Sequence, residues 1–299
     1  MATNYGRSRW GVVKKRRECG AMKVADKVYL INSFAVPGIF STYFLDFDKK
    51  VLIEPCVVNG ASIVLDFLSK HGVSKLDYIA VTHVHIDHGG SAATIAKKTN
   101  AKILVHPKGF KHVANPEKLW VASKAVLGEL AEIYGKPESI EEDKIIAIED
   151  GQIFDLGEDE LIAIHAPGHA PHMVAYLLKR RKILFPSDAV GMIYKGHVFP
   201  LTPPPFDFEK ALETLEKFEK LDVEIVALTH FGVTTKQSIG EAKKRLKLWF
   251  EVAKEAKSIE DLDSKLREVD EAVAALEKGS QFHSFYLTSL NGLLSATKS

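Results

Sequence analysis

Three histidines and an aspartate fall within six residues in Thr82-His83-Val84-His85-Ile86-Asp87-His88-Gly89-Gly90. With 12 histidines and 39 acidic residues among 299, chance yields such a run roughly 0.002 times per chain. Neutral imidazole and carboxylate together form the ligand set that suits zinc, iron, manganese or cobalt. His83 and His85 alternate with an apolar residue, so they can point the same way from an extended turn. Asp87 and His88, a step further on, are displaced toward a second position. Gly89 and Gly90 remove side-chain bulk where the next helix must begin close to the ions. A helix cap would need only one of these polar groups and would leave three histidines unexplained.

Four further residues sit in loops that follow apolar strands. His169 and His172 lie in Ala166-Pro167-Gly168-His169-Ala170-Pro171-His172, Asp188 in Pro186-Ser187-Asp188-Ala189, and His230 in Leu228-Thr229-His230-Phe231. Each alone is weak, because a histidine at a strand end is more often a satisfied structural group. The chemistry that the whole set supports is hydrolysis. Water held by a divalent ion has its pKa drawn from about 15.7 toward 7, which supplies a nucleophile without a Ser-His-Asp or Cys-His arrangement. Asp87 is placed to orient that nucleophile.

The elements that must position these groups follow from periodicity. Val28–Ile31, Ser41–Leu45 and Val51–Ile53 read as strands, Ala61–Lys70 as a helix, Tyr78–Val81 as a strand, Ser91–Lys98 as a helix and Ala101–Val105 as a strand. That alternation indicates α/β layering. A helix is expected between Pro116 and Tyr134, with Leu119, Ala122, Val126, Leu130 and Ile133 on its apolar face. Strands return at Leu161–His165, Met173–Leu178, Lys182–Phe185 and Glu224–Leu228, with a helix over Phe208–Lys220. Lys179-Arg180-Arg181 reads as a solvated hairpin. The last third is helical: Ile239, Ala242, Leu246, Trp249, Phe250 and Ala253 line one face. After a capping box at Ser258 and Asp261, Ile259, Leu262, Leu266, Val269, Val273 and Leu276 form a second stripe that Gly279 ends. The second stripe needs a partner, either a roof over the site or a second subunit.

The expected organisation is a basic extension over 1–21, a catalytic domain over 22–256 and a C-terminal helical segment over 257–299. Forty basic against 39 acidic residues give no reason to expect nucleic acid as a partner. No apolar run approaches the ~20 residues of a membrane span. Two cysteines, Cys19 and Cys56, exclude a disulfide framework and point to a reducing, cytoplasmic setting. The partner expected is a small molecule, with a homodimer through the C-terminal helices as a further possibility.

In order and spacing, His83-x-His85-x-Asp87-His88 followed by His169, Asp188 and His230 closely resembles the metallo-β-lactamase-fold superfamily, over roughly Val24 to Ala253. The resemblance implies an αββα sandwich. It also implies one metal on His83, His85 and His169, a second on Asp87, His88 and His230, and Asp188 bridging the two. The two ions would be zinc, with iron or manganese as alternatives. Within the superfamily, Asp188 stands where many lactamases place cysteine, and His85 departs from the glutamate of flavodiiron proteins. The glyoxalase-II and lactonase neighbourhood remains, and with it hydrolysis of a small thioester, ester or lactone. Glu54 stands where that neighbourhood commonly has aspartate and is read as bracing the ligand loop. His172, one residue earlier than in the neighbourhood's Gly-His-x-x-Gly-His pattern, is read as supporting a ligand or touching substrate. Trp120 and Tyr134 on the helical insertion, and the segment Tyr194–Phe206 with its triple proline, are read as the walls that select substrate. A different class stays open: persulfide dioxygenases resemble the same branch and use a single iron on residues corresponding to His83, His169 and Asp188.

Overall fold

The computed structural model describes residues 17–18, 21–34 and 39–298. Eight strands form one sheet in sequence order: β1 (Arg17–Glu18), β2 (Ala21–Ala25), β3 (Val28–Asn32), β4 (Ser41–Asp46), β5 (Lys50–Ile53), β6 (Tyr78–Ala80), β7 (Lys102–Val105) and β8 (Ile145–Ala147). The first five pair antiparallel through short turns, and the last four run parallel. A parallel neighbour demands a crossover, and helices supply it. Helix α1 (Ala61–Lys70) joins β5 to β6 and α2 (Ala92–Thr99) joins β6 to β7. The run α3 (Phe110–Ala114), α4 (Glu117–Leu127) and α5 (Glu129–Tyr134) leads to β8.

The second sheet holds β9 (Ile153–Asp155), β10 (Glu160–His165), β11 (Val174–Leu178), β12 (Ile183–Phe185), β15 (Ile225–Leu228) and β16 (Gly232–Thr235). Between β12 and β15 run the hairpin β13 (Met192–Tyr194) and β14 (His197–Phe199), then α6 (Phe208–Glu219), and β12 and β15 are parallel. The chain ends with α7 (Gln237–Lys254), α8 (Ile259–Val269), α9 (Glu271–Ala274) and α10 (Gln281–Ala296).

Alternation along the strands builds the layers. Tyr43, Leu45, Val51 and Ile53 meet Val174, Tyr176 and Leu178 between the sheets. Their neighbours Phe44 and Leu52 turn outward onto Val64, Phe67 and Ile95 of α1 and α2. Ala175 and Leu177 turn the other way, into a core with α6, α7 and the C-terminal helices. The result is the αββα sandwich with C-terminal helices. Among the described residues no helix is long and apolar enough to cross a membrane.

Four details differ from the sequence reading. The expected strand over Val28–Ile31 is preceded by a further strand, β2, in a hairpin turning at Lys27 (φ 58°), and β1, inside the expected extension, pairs Arg17 with Met22. Residues 1–16 and 19–20 of that extension, Cys19 included, lie outside the described residues. The expected helix over 116–134 breaks at Gly128 (φ 57°, ψ −129°), a conformation that favours glycine. The break turns α5, so Trp120, Ala131 and Tyr134 face inward while Val126 and Ile133 are 72% and 55% exposed. Asp270 splits the expected helix after Ser258, because its extended backbone lets the carboxylate cap Ala272 N at 3.0 Å and accept from Arg245 Nε and Trp249 Nε1 at 2.8 Å each. Lys179 and Arg180 are exposed, whereas Arg181, its side chain 19% exposed, donates from its guanidinium to the buried Asp159 at 3.0 Å. The stripe Leu262, Leu266, Val273 and Leu276 finds its partner inside the chain, against α7 and the buried Tyr286, Leu290 and Leu293 of α10.

Candidate metal centre

Four loops at one edge of the sandwich carry the motif residues. His83, His85, Asp87 and His88 fill the loop from β6 to α2, His169 the loop after β10, Asp188 a 3-10 turn after β12, and His230 the loop after β15. The two sheets are stitched together at this edge. Ser41 N donates to Thr229 O at 2.8 Å, Tyr43 Oη to Leu228 O at 2.6 Å, and Val174 N to Thr82 O at 2.7 Å. Two glycines permit the close approach. A Cβ on Gly90 would lie 2.2 Å from Ile86 O, and one on Gly168 (φ 137°) 2.5 Å from Ala211 Cα of α6.

The side chains converge as two overlapping clusters. His83 Nε2 lies 2.9 Å from His85 Nδ1, which lies 3.3 Å from His169 Nε2. Nitrogens bound at about 2.0–2.1 Å to one tetrahedral ion sit about 3.3–3.4 Å apart, so this spacing is close to that of a ligand set. Asp87, His88 and His230 form the second cluster. Asp188 lies between them: its Oδ2 is 3.3 Å from His88 Nε2 and 3.4 Å from His169 Nε2, and its Oδ1 is 3.5 Å from His230 Nε2.

The far side of most of these rings is held. His169 Nδ1 donates to Leu201 O at 2.9 Å and His230 Nδ1 to Ile39 O at 2.8 Å. His83 Nδ1 has Thr82 Oγ1 at 3.2 Å and Ser187 Oγ at 3.3 Å. Glu54, 1% exposed, takes His88 Nδ1 on Oε2 at 2.8 Å and the hydroxyls of Thr82 and Thr229 on Oε1 at 2.8 and 2.7 Å. Such bonds set the tautomer, leaving the inward nitrogen bare. Glu54, Ser187 and Phe231 adopt φ values of 59°, 51° and 72°, costing on the order of 1 kcal/mol or more each, next to the groups they position.

Electrostatics favour a cation. Burial pushes His83, His85 and His169 below the ordinary imidazole value, so they are neutral donors. Burial opposes charge on His88 too, yet Asp188, Glu54 and Asp87 together raise it well above that value. Asp188 is held below the carboxylate range: burial opposes, and His88, His230 and His169 prevail. Among the described residues His88 Nε2, His230 Nε2 and Asp188 Oδ1 are buried without a hydrogen-bond partner. Leaving one such atom bare costs about 1–3 kcal/mol. Three of them converging beside clustered carboxylates fit a metal ion.

The remaining residues fall at different depths. His172 stacks 6.2 Å from His83 with its buried Nδ1 unpartnered, and burial, then His112, His169 and His106, lowers it to about 4. Trp120 packs with Ile39, Phe40, Ile86 and Tyr134 under the insertion. Tyr194 packs on Phe282 at 4.2 Å, and Phe282 on Phe231 at 4.0 Å, so it joins the cluster only through two intervening rings. Sequence reasoning did not single out Thr82, Thr229 or Ser187, whose hydroxyls hold the ligands, nor Phe285, whose ring lies 5.0 Å from that of His230. The two threonines immediately preceding His83 and His230 were the available signal.

Comparison with known proteins follows the same lines. The model of the metallo-beta-lactamase superfamily matches residues 41–230. The metallo-beta-lactamase fold-containing protein ST1585 of Sulfurisphaera tokodaii is 33% identical over 215 residues, 70% of this chain and 79% of its own. The crystal structure of ST1585 superposes with a TM-score of 0.71 over 91% of this chain and 98% of that one, at 26% identity. The family protein TTHA1429 of Thermus thermophilus shares the fold at 16% identity, with a TM-score of 0.69 over 92% of this chain and 94% of its own. Human acyl-coenzyme A thioesterase MBLAC2 is 24% identical over 186 residues, 58% of this chain and 61% of its own length.

Proposed function

The chain belongs to the metallo-beta-lactamase superfamily of metal-dependent hydrolases, and from that premise we propose that it cleaves a small thioester, ester or lactone at two adjacent divalent ions, zinc in the first instance. The observation that carries the reading is the pair of buried clusters meeting at Asp188, with bare nitrogens inward and hydrogen-bonded nitrogens outward. His83, His85 and His169 would hold one ion, Asp87, His88 and His230 the other, and Asp188 both. Ions held there supply Lewis acidity, polarising an acyl carbonyl and lowering the pKa of water.

The chain's own residues do the rest. Asp87 and His85 are the cluster members that reach solvent, and Asp87 orients the attacking water and accepts its proton. The carbon–oxygen bond to water forms, the acyl carbon–sulfur or carbon–oxygen bond breaks, and the proton passes to the departing thiolate or alkoxide. Glu54 and the two threonines keep the ring of His88 and its neighbours still while charge shifts. Selectivity comes from an apolar surround: Phe40, Phe231 and Phe285 lie 5.6, 6.4 and 5.0 Å from His230. Met173, Val190, Leu201, Phe206 and Leu215 line a narrow cavity beside His169 and Asp188. Such walls suit a compact acyl group; a polyphosphate or nucleic-acid backbone would call for clustered arginine and lysine. The thioesterase relative supports the same class.

A panel of thioesters, lactones, β-lactams and phosphodiesters, assayed on zinc-, manganese- and iron-loaded protein, tests the reading. Turnover of thioesters, esters or lactones is expected; turnover of phosphodiesters alone would reject the acyl substrate. One iron per chain with oxygen uptake would replace hydrolysis by the dioxygenase chemistry.

A further inference from the structure

Helix α10 turns one stripe of residues toward the metal centre. Phe282, Phe285, Ser289 and Gly292 recur at spacings of three and four, which places them on one face of the helix. Phe282 stacks on Phe231 at 4.0 Å, and Phe285 packs 5.0 Å from His230. Further along the same face the helix meets the loop after β14. Thr202 N donates to Ser289 Oγ at 3.2 Å, and Thr202 Oγ1 donates to Ser289 O at 2.8 Å. Ser289 Oγ sends its own proton to Phe285 O at 2.9 Å, so both hydroxyls of the pair have a set direction. Thr202 and Ser289 are both buried. A Cβ on Gly292 would lie 1.8 Å from Thr202 O, so any side chain there would push the loop away. Glycine inside a helix is less stable than alanine, and this close approach accounts for its presence.

The residue beside this clamp is Leu201, whose carbonyl accepts the hydrogen bond from His169 Nδ1 at 2.9 Å. The loop returns to the His169 segment at Asp207, whose N donates to Gly168 O at 3.0 Å. A carbonyl fixes the tautomer and plane of an imidazole only as firmly as it is itself held. We propose that Thr202 and Ser289 are positioning residues for His169. Helix α10 clamps the loop, the loop fixes Leu201 O, and Leu201 O keeps Nε2 of His169 bare for the ion. This role rests on the metal-ligand reading of His169 and is independent of which substrate is cleaved. It makes the C-terminal helix part of the metal centre, and by reciprocity metal on His169 holds α10 in place.

Competitive zinc titration of the full-length protein tests this without turnover. His169→Ala identifies the zinc step that this ligand serves. Thr202→Val keeps the side-chain volume and removes the hydroxyl. It weakens that step about three- to tenfold, at or below the lower bound for losing a direct outer partner, and moves the other step by less than about twofold. Thr202→Ser, which keeps the hydroxyl, restores wild-type affinity. Ser289→Ala, which removes the acceptor of Thr202 N, weakens the same step and serves if Thr202→Val does not fold. A second readout is amide hydrogen exchange: zinc slows exchange in α10 of the wild type by at least about threefold, and less in Thr202→Val. Unchanged zinc affinity in both variants, equal weakening of both steps, or exchange in α10 that ignores zinc overturns the clamp. A wild type that binds no zinc rejects it together with the metal reading, whereas zinc binding without acyl turnover rejects only the acyl substrate.

Discussion

Replacing Glu54 with glutamine isolates the support beneath one half of the metal centre. The side chains of Glu54 and His88 are 2% and 0% exposed, and the bond between Oε2 and Nδ1 is 2.8 Å long. An amide in place of the carboxylate has two orientations. With its NH2 toward His88, it donates to Nδ1 and drives the ring proton onto Nε2, the nitrogen that must stay bare. With its NH2 toward Thr82 and Thr229, both hydroxyls must turn to accept, and His88 keeps only a neutral acceptor. Either way the charge-assisted bond is lost, a difference of about 1–1.5 kcal/mol between charged and neutral hydrogen bonds. Removing such an outer partner lowers metal affinity about 10- to 100-fold, or about 1.4–2.7 kcal/mol. Competitive zinc titration against a chromophoric chelator reads the two sites as two steps. The step assigned to Asp87, His88 and His230 weakens by that factor in Glu54→Gln. The step assigned to His83, His85 and His169 shifts less, since Glu54 reaches those rings only through Thr82, whose hydroxyl lies 3.2 Å from His83 Nδ1. Two unchanged steps would refute the role given to Glu54, and two equally weakened steps would show that it holds the whole fold rather than one ligand.

The remaining expectations concern the other ligands, pH and the C-terminal helices. Asp188→Ala lowers bound metal further than His85→Ala does, because the aspartate borders both clusters; plasma emission analysis of the folded variants decides, and full activity in a metal-depleted Asp188→Ala protein rejects the two-ion reading. Metal-stripped protein loses stability as pH falls below the ordinary imidazole value of 6.5, because the unfolded chain protonates His83, His85 and His169, together with His106 and His172, whose folded values lie at about 4. His88, whose folded value is raised, works oppositely: its contribution is full below 6.5 and is lost as pH rises through the folded value. Five groups against one predict lower stability at about pH 5 than at about pH 7.5, and urea melts showing the reverse order would contradict this. Asp270→Ala strands Arg245, whose side chain is 11% exposed, and uncaps α9. A loss of about 3–5 kcal/mol is expected in urea, and one below about 1 kcal/mol would show that this network does not hold the helices.

The part of the centre that is local in sequence was legible without coordinates. His83, His85, Asp87 and His88 sit within six residues, so their divergence toward two positions follows from the geometry of one turn after one strand. The same holds for strands whose alternating residues divide between an inner and an outer core, as with Tyr43 against Phe44 and Val51 against Leu52. Boundaries failed where a single residue overrides a periodic pattern. Gly128 has a conformation that breaks the helix, and Asp270 satisfies three donors at once by leaving it.

What lies far apart in sequence was decided by sheet register. The antiparallel pairing of β10 with β11 and of β11 with β12, and the parallel pairing of Ile183 with Ile225, bring His169, Asp188 and His230 to one edge. Neither periodicity nor spacing along the chain contains that register; only the family resemblance anticipated the grouping. The same limit explains the residues around the site. Trp120 and Tyr134 lie on one insertion, and the turn at Gly128 lets both pack inward with Phe40 and Ile86. Ligand chemistry is a property of residue type and short spacing, and the sequence by itself determines it. Which outer groups hold those ligands depends on packing between segments as distant as Glu54 and Thr229, and that is settled only when the two sheets close on each other.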